Sequence, residues 1–586
     1  MLNTQGLFKG FNVAESKARL VSAAFTSTGD IKSENLDNVT LTVYATLDDL
    51  PTSGLTSGQQ AFITSTNRLY VSNGSGWFSV ALINATPRLT IDPTGTVVLA
   101  TDGSTPTVIT LTGTDSDNVD ASLIYSVESD GSFGGLATLS QDSSVFTITP
   151  LAEGSATTTS STLTFKVSDG ISFGSGTTTF SLTFGPNWSA TPVETEIASS
   201  DLVAGDLFGT QVSISSDGDY AIVGGHGADP GGTLSAGAAY IFTRSGSSWS
   251  QQAKLTASDA AASDQFGSKV EISGDGTYAI VGASREDGTS TDMGAAYIFT
   301  RSGSTWTQQQ KLQASDKEAS DLFGWGVSIS DDGSYAVVSA IFEDPGGTSQ
   351  AGSAYIFTRS GSTWSQQAKI QASDKAADDR FGEHVAMNSD GTYVIVGSMR
   401  DDDGGTNYGS AYIFTRSGST WSQQAKINPS PTDGVQFGYA VAINNDATYV
   451  AIGAPYDASS GVNAGAVWIF TRSGSSWSQQ VKLLSSDIQA GDFFGSYVSL
   501  NSDATYLAAG ARLEDGGSGD PTASSGAAYV FERDGSTWTE VKLLTASNAA
   551  AGANYGMGVS INSDGKYLII GAPETSAGGA AYIYKA

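Results

Sequence analysis

A Phe-Gly pair returns at Phe208, Phe266, Phe323, Phe381, Phe437 and Phe494, with Tyr555-Gly556 as a seventh copy. The steps between copies are 58, 57, 58, 56, 57 and 61 residues. A period of this length means stacked copies of one supersecondary unit, none of which can bury its apolar faces alone. Each copy reads as four short strands. Val-x-Ile follows Phe-Gly, as in Val212/Ile214 and Val270/Ile272, and a tight turn comes next. Asp-Gly fills that turn in five copies, at Asp217, Asp275, Asp332, Asp390 and Asp564. Between apolar runs this pair is a strong hairpin signal, because glycine accepts positive φ without steric cost. A second strand opens on Tyr in all seven copies, from Tyr220 to Tyr567. The third reads Ala-Tyr-Ile-Phe-Thr-Arg, as at Ala239 to Arg244, and the fourth follows Ser-Gly-Ser-Thr-Trp, as at Trp306. Four antiparallel strands per copy predict the blades of a β-propeller.

Ring closure is legible too. Six copies carry the fourth-strand Trp (Trp249, Trp306, Trp364, Trp421, Trp477 and Trp538), but the seventh stops at Tyr582-Ile583-Tyr584-Lys585-Ala586. An unpaired Trp188 stands just before the first copy, with Glu194-Thr195-Glu196-Ile197 after it. Residues 188–197 are therefore expected to supply the outer strand of the last blade, leaving no open sheet edge. The expected fold is all-β, with seven blades over 187–586.

Composition narrows the function. The 28 basic and 59 acidic residues give a net charge of −31, a field that repels nucleic-acid backbones and anionic membranes. Zero Cys excludes disulfides and thiol chemistry, and His226 and His384 are too few for a histidine metal site. No apolar run approaches the roughly 18 residues of a membrane span, and the start lacks signal-peptide character.

The Phe-Gly and Gly-Ala-Pro elements resemble the FG-GAP propeller of integrin α subunits. Phe437-Gly438-Tyr439-Ala440-Val441 through Gly453-Ala454-Pro455 is the best copy. That family carries an Asp-x-Asp-x-Asp-Gly calcium hairpin between the first two strands. Here the hairpin is Ser215-Ser216-Asp217-Gly218, with one carboxylate where calcium needs six to eight oxygens. The Arg533-Asp534-Gly535-Ser536-Thr537-Trp538 hairpin resembles the Asp-box of sialidases. The Arg column (Arg244, Arg301, Arg359, Arg416, Arg472 and Arg533) lies around a ring, however, and cannot converge on one carboxylate.

Before the ring, 86–186 reads as a separate β-sandwich of short Thr/Val-rich strands, among them Val108 to Leu111, Phe146 to Ile148 and Thr162 to Val167. Gly113 to Asp117 and Val167 to Gly170 resemble bacterial cadherin-like domains, which implies an immunoglobulin-like spacer. Residues 40–85 form a smaller β unit, including Leu41 to Pro51, Gly58 to Ile63 and Asn67 to Trp77. This unit resembles a segment of virion structural proteins in marine tailed bacteriophages, especially cyanophages, which implies a particle component. Residues 1–39 are an arm expected to dock to other virion proteins, with Lys9 to Lys17 a short helix or an extended strap.

The Phe, Tyr and Trp columns read as core. Asp206, Asp264, Asp321, Asp379 and Asp492, two residues before Phe-Gly, read as turn caps. So do Asp201, Asp259, Asp316, Asp374 and Asp487, seven before the same Phe. The loops between second and third strands vary while the scaffold repeats, and variable loops on a rigid scaffold are where recognition usually resides. They supply the candidate receptor-binding residues: Asp229, Glu286, Asp287, Phe342, Glu343, Asp344, Asp401, Asp402, Asp403, Tyr456, Asp457, Glu514 and Asp515. Set against this are a solvated acidic rim and calcium at Asp401 to Asp403; no other cofactor is expected.

The resulting expectation is a non-enzymatic appendage, a tail-fibre or capsid-fibre subunit on the surface of a virion. It would be a homo-oligomer (a trimer suits a fibre) whose propeller adheres to a host glycan or protein. A bacterial surface adhesin and a glycan-cleaving propeller are the alternatives.

Overall fold

The computed structural model describes residues 42–586, apart from 66–67, 81–85, 93–96, 99–106, 115–122, 130–136, 151–158, 169–171, 183–185, 187, 190, 404, 430–435 and 516–522. The expectations placed on Lys9 to Lys17, Asp115 to Asp117 and Asp169-Gly170 lie outside the described residues. The chain divides into two compact units, with the boundary between residues 184 and 185.

In the first unit, Thr42–Tyr44, Ser57–Ile63, Arg68–Asn73 and Trp77–Val80 form one four-stranded sheet. Its core is Leu50, Ala61, Ile63 and Tyr70, and the Trp77 indole closes it by donating to Pro51 O at 2.8 Å. Two further four-stranded sheets follow. Thr107–Thr114 and Val145–Pro150 belong to one, Ile124–Ser129 and Thr159–Ser168 to the other. Alternation along Thr107–Thr114 aims Ile109 and Leu111 inward, where they join Phe146 and Phe165 of the two sheets in one apolar cluster.

The second unit is a closed ring of seven four-stranded antiparallel sheets. Blade 1 runs from Val212 to Leu255, blade 2 from Lys269 to Leu312 and blade 3 from Phe323 to Ile370. Blades 4, 5 and 6 run from Phe381 to Ile427, Ala440 to Leu483 and Phe494 to Leu544. Blade 7 takes Gly558–Ile561, Tyr567–Ala572 and Ala580–Lys585 from the C-terminus and Val193–Ile197 from ahead of blade 1. Val193–Ile197 pairs antiparallel with Ala581–Lys585, Glu196 opposite Tyr582. The innermost strands pack each on the next, and the last on the first. The expected clasp is thus in place, with one adjustment. Trp188 precedes the strand rather than lying in it; it is buried and its indole donates to Gly565 O at 2.9 Å.

The repeated residues explain why the blades stack. The Phe266 amide donates to Ala236 O of blade 1 at 3.0 Å, and equivalent bonds follow each Phe-Gly. Gly267 sits at φ +91, and a Cβ there would lie 2.2 Å from Ala238 O of the preceding blade. Gly282, on the second strand, would bring a Cβ within 2.2 Å of Gly324 O of the following blade. Backbone contact between blades therefore calls for glycine at both positions here, while blade 3 carries Ser339 at the second of them. The residue before each Phe, such as Leu207, Gln265 and Phe493, also holds positive φ.

Candidate functional site

The repeated charged columns are consumed by the scaffold. Each Arg of the third-strand column lies over the second-strand Tyr of the preceding blade. Arg301 is 4.2 Å from the Tyr220 ring centre and Arg416 is 4.2 Å from that of Tyr335. Arg244 over Tyr567 at 4.6 Å carries the same contact across the closure. The Arg301 Nε also donates to Gly276 O at 2.7 Å. Each Arg is thus held at the seam between its own blade and the preceding one, and the six do not converge.

The fourth-strand Lys organises the carboxylates. Lys311 binds Asp259 at 2.7 Å and Glu286 at 2.8 Å, lying over the Tyr297 ring. Lys369 binds Asp316 and Glu343, both at 2.7 Å. Lys426 binds Asp374 at 2.7 Å, Asp401 at 2.9 Å, and Asp403. Lys482 binds Asp457 at 3.0 Å. Burial by itself would depress the Lys311 and Lys369 ammonium groups; their carboxylate partners outweigh it and hold both above the ordinary lysine value.

This network corrects two readings of the sequence. Asp201, Asp259, Asp316 and Asp374 are ion-pair partners rather than caps. The capping role falls to the column two before Phe-Gly. Asp206 accepts from the Val203 amide at 3.0 Å, and Asp264 from that of Ala261 at 2.7 Å. Calcium at Asp401 to Asp403 is also displaced. The Lys426 ammonium already sits between Asp401 and Asp403, while Asp402 accepts from the Asn407 amide at 2.8 Å. No cluster of three or more metal-ligating side chains exists among the described residues.

The rim candidates therefore separate into two groups. Glu286, Glu343, Asp401, Asp457 and Glu514 are buried. Asp229, Asp287, Asp344, Asp402 and Asp403 are exposed, and Phe342, Tyr456 and Asp515 half-buried. Asp229, Asp287, Asp344 and Asp515 each accept a backbone amide of their own loop. Phe342 lies under Arg380 at 4.9 Å, and Tyr456 packs edge-on against Phe493 at 5.1 Å.

A different set of residues converges on the ring axis. They stand two or three places after each Phe, where the chain enters the innermost strand. A cavity of about 220 Å³ opens there, lined by Trp325, Glu383, His384, Tyr439, Tyr497 and Lys269, with His226, Gln265 and Met557 among its other walls. Below it an axial channel of about 190 Å³ passes between all seven innermost strands, sharing Lys269 and His384 with the cavity. Lys269 of blade 2 reaches across the axis to blade 6, where Nζ donates to the Tyr497 hydroxyl at 3.3 Å and lies 5.1 Å from its ring centre. The Trp325 indole donates to Glu383 Oε1 at 3.4 Å, whereas Glu383 Oε2 and His226 Nδ1 have no protein partner. Burial pushes His384 down to about 3 and His226 to about 4, helped by the Lys269 charge, so both imidazoles are neutral near neutrality. Burial raises the Glu383 carboxyl against the opposing pull of Lys269 and Trp325. Deeper in, Glu271 accepts from Ser328 Oγ at 3.2 Å and is pushed up to about 8 by burial.

The sequence reading passed over this cavity because it followed the residues that repeat. The signal was in the columns that do not. The position two after Phe reads Thr210, Ser268, Trp325, Glu383, Tyr439, Ser496 and Met557, and no residue type recurs there beyond Ser.

No helix among the described residues is long and apolar enough to cross a membrane. A search of curated protein sequences found no match. Among solved structures, the RRP9 WD40 repeats align at TM-score 0.43 and 9% identity, over 68% of this chain and 98% of that one. The periplasmic gluconolactonase PpgL of Pseudomonas aeruginosa aligns at 0.40 and 11%, over 68% and 95%. The GH74 xyloglucanase of Xanthomonas campestris aligns at 0.40 and 13%, over 66% and 54%. The FG-GAP repeat model matches residues 193–242, 249–299, 306–357, 364–414, 421–470, 477–531 and 538–584. Each window runs from the outer strand of one sheet to the third strand of the next, the first starting at the clasp, and with more than half of its length so matched the chain belongs to the FG-GAP repeat family.

Proposed function

We propose that this chain is a recognition subunit without catalytic activity. In this reading it is an appendage of a tailed bacteriophage, a tail or capsid fibre, whose propeller adheres to the host surface. The observation that carries the adhesive role is the division of labour in the ring. The repeated Arg, Lys and Asp columns are bound up in blade contacts, while the non-repeating residues gather at the loops and the axial mouth. A rigid scaffold with variable residues on one face is the arrangement of a recognition module. The particle assignment rests on the resemblance of residues 40–85 to virion structural proteins. The first unit would serve as attachment and spacer, and several copies per particle would multiply weak contacts through avidity. Mass spectrometry and immunogold labelling of purified virions test the particle role; we expect the chain in particles. Absence at good coverage, with labelling on bacterial cells instead, replaces it with the surface adhesin. Adhesion itself is tested by fluorescently labelled chain on host cells, where lack of saturable binding rejects it.

A further inference from the structure

We infer that the axial cavity is a binding site for one pyranose ring of a glycan. The inference rests on the adhesive reading and gives it a site and a ligand class. Three features of the cavity converge on that chemistry. Its walls carry Trp325 and Tyr439, aromatic rings of the kind on which the C–H side of a sugar ring packs, beside Tyr497, whose ring Lys269 already covers. Two of its polar atoms are left wanting hydrogen-bond partners. Glu383 Oε2 and His226 Nδ1 are buried at the axis with none, and native structures rarely leave such groups unsatisfied. A hydroxyl can donate to Glu383 Oε2 and exchange a hydrogen bond with His226, and the Lys269 ammonium, which spends one donor on the Tyr497 hydroxyl, has others for a sugar oxygen. Finally, about 220 Å³ suits one ring rather than an extended chain, and the shared wall with the axial channel leaves room for ordered water beneath it.

Other ligand classes fit less well. A phosphate or nucleotide would call for clustered cations or a nest of amides, and Lys269 is the one basic residue of this cavity. A lipid chain would leave Glu383 Oε2 and His226 Nδ1 desolvated without partners. The asymmetry matters as well. The wall residues are drawn from several blades, and Trp325, Glu383 and Lys269 have no copy at the equivalent positions of the other blades, so there is one site per chain.

The test titrates the full chain with the methyl pyranosides of glucose, galactose, mannose, N-acetylglucosamine and glucuronic acid. Saturation-transfer NMR and indole fluorescence provide the readouts. The expected result is one-site binding of at least one glycoside. Trp325→Ala and Glu383→Gln should each weaken it at least tenfold with unchanged melting temperature, and the exposed rim change Asp402→Asn should leave it unaltered. No binding across the panel, or binding that survives both cavity variants, overturns the inference. The two readings fail separately. Wild-type and Glu383→Gln chains that stick equally to host cells remove the cavity and keep adhesion; a glycoside in the cavity with no cell binding keeps the cavity and removes adhesion.

Discussion

Lys254 and Lys482 occupy the same place in blades 1 and 5, yet the structure assigns them very different weights. The Lys254 pair with Asp201 is open to solvent, with side chains 28% and 48% exposed. The Lys482 pair with Asp457 is not, at 18% and 0%. Each ammonium also faces a third-strand ring, at 5.3 Å from Tyr240 and 4.6 Å from Trp468. Two Lys→Met variants, which keep the packed stem, lose this contact in both blades, and the excess on the Trp468 side is within about 1 kcal/mol. What remains is the set of polar contacts each ammonium makes, chief among them the ion pair. Removing an exposed partner costs under about 1 kcal/mol. Removing Lys482 strands a fully buried carboxylate whose other hydrogen bonds among the described residues come from Ser459, at a cost of about 3–5 kcal/mol. A ring of about 400 residues unfolding as one unit has a melting entropy near 0.8 kcal/mol/K. Lys482→Met should then lower the melting temperature by about 4–6 °C and Lys254→Met by about 1 °C or less. Differential scanning calorimetry at one protein concentration reads both. Asp457→Asn combined with Lys482→Met should recover most of the loss, because the stranded charge is gone. Equal shifts for the two lysine variants, or no recovery in the double variant, would refute the claim that burial of the partner sets the cost.

Other consequences are testable in the same way. Gly267→Ala drives a Cβ to 2.2 Å from Ala238 O, so soluble yield should collapse. Gly246→Ala meets open space at φ +63 and should cost only about 1 kcal/mol of backbone strain; similar yields for both would undo the contact argument. A chain beginning at Gly185 should fold as a monodisperse ring by light scattering, while one beginning at Ala198 leaves Ala580–Lys585 as an open edge and should aggregate. Glu271 titrates near 8 in the folded ring against an ordinary 4.5, so folding takes up its proton. Its contribution is complete below the ordinary value and is lost as pH rises through about 8. The wild-type melting temperature should therefore fall, relative to Glu271→Gln, between pH 5 and 9; parallel curves would contradict burial of that carboxyl.

How much of this could be read beforehand depends on repetition. The Phe-Gly period, the missing outer strand of the last sheet and the spare Trp188 were enough to place the closure, because a strand without a neighbour is visible in a sequence of copies. The turns were legible even where their letters change. Asp446-Ala447 and Asp503-Ala504 replace Asp-Gly, and both alanines adopt the same left-handed φ of +54. What stayed hidden were contacts between columns distant in the chain. Asp259, fifty-two residues before Lys311, looks like a cap until the fold brings the two together. Glu286 looks like a solvated rim acid for the same reason. The axial cavity was harder still. Its walls are drawn from separate blades, and only the superposition of copies shows that the columns two and three places after Phe vary.

The clasp has a mechanical consequence. Whatever holds the chain upstream of Pro186 is joined to the ring through Trp188 and the strand Val193–Ile197. Tension from that side first meets the indole anchored on Gly565 and the Tyr506 hydroxyl on Pro186 O, and then loads the ladder against Ala581–Lys585. The same five residues that seal the circle are its tow-point, so a pull strong enough to detach them would unlock the disc rather than merely release its tether.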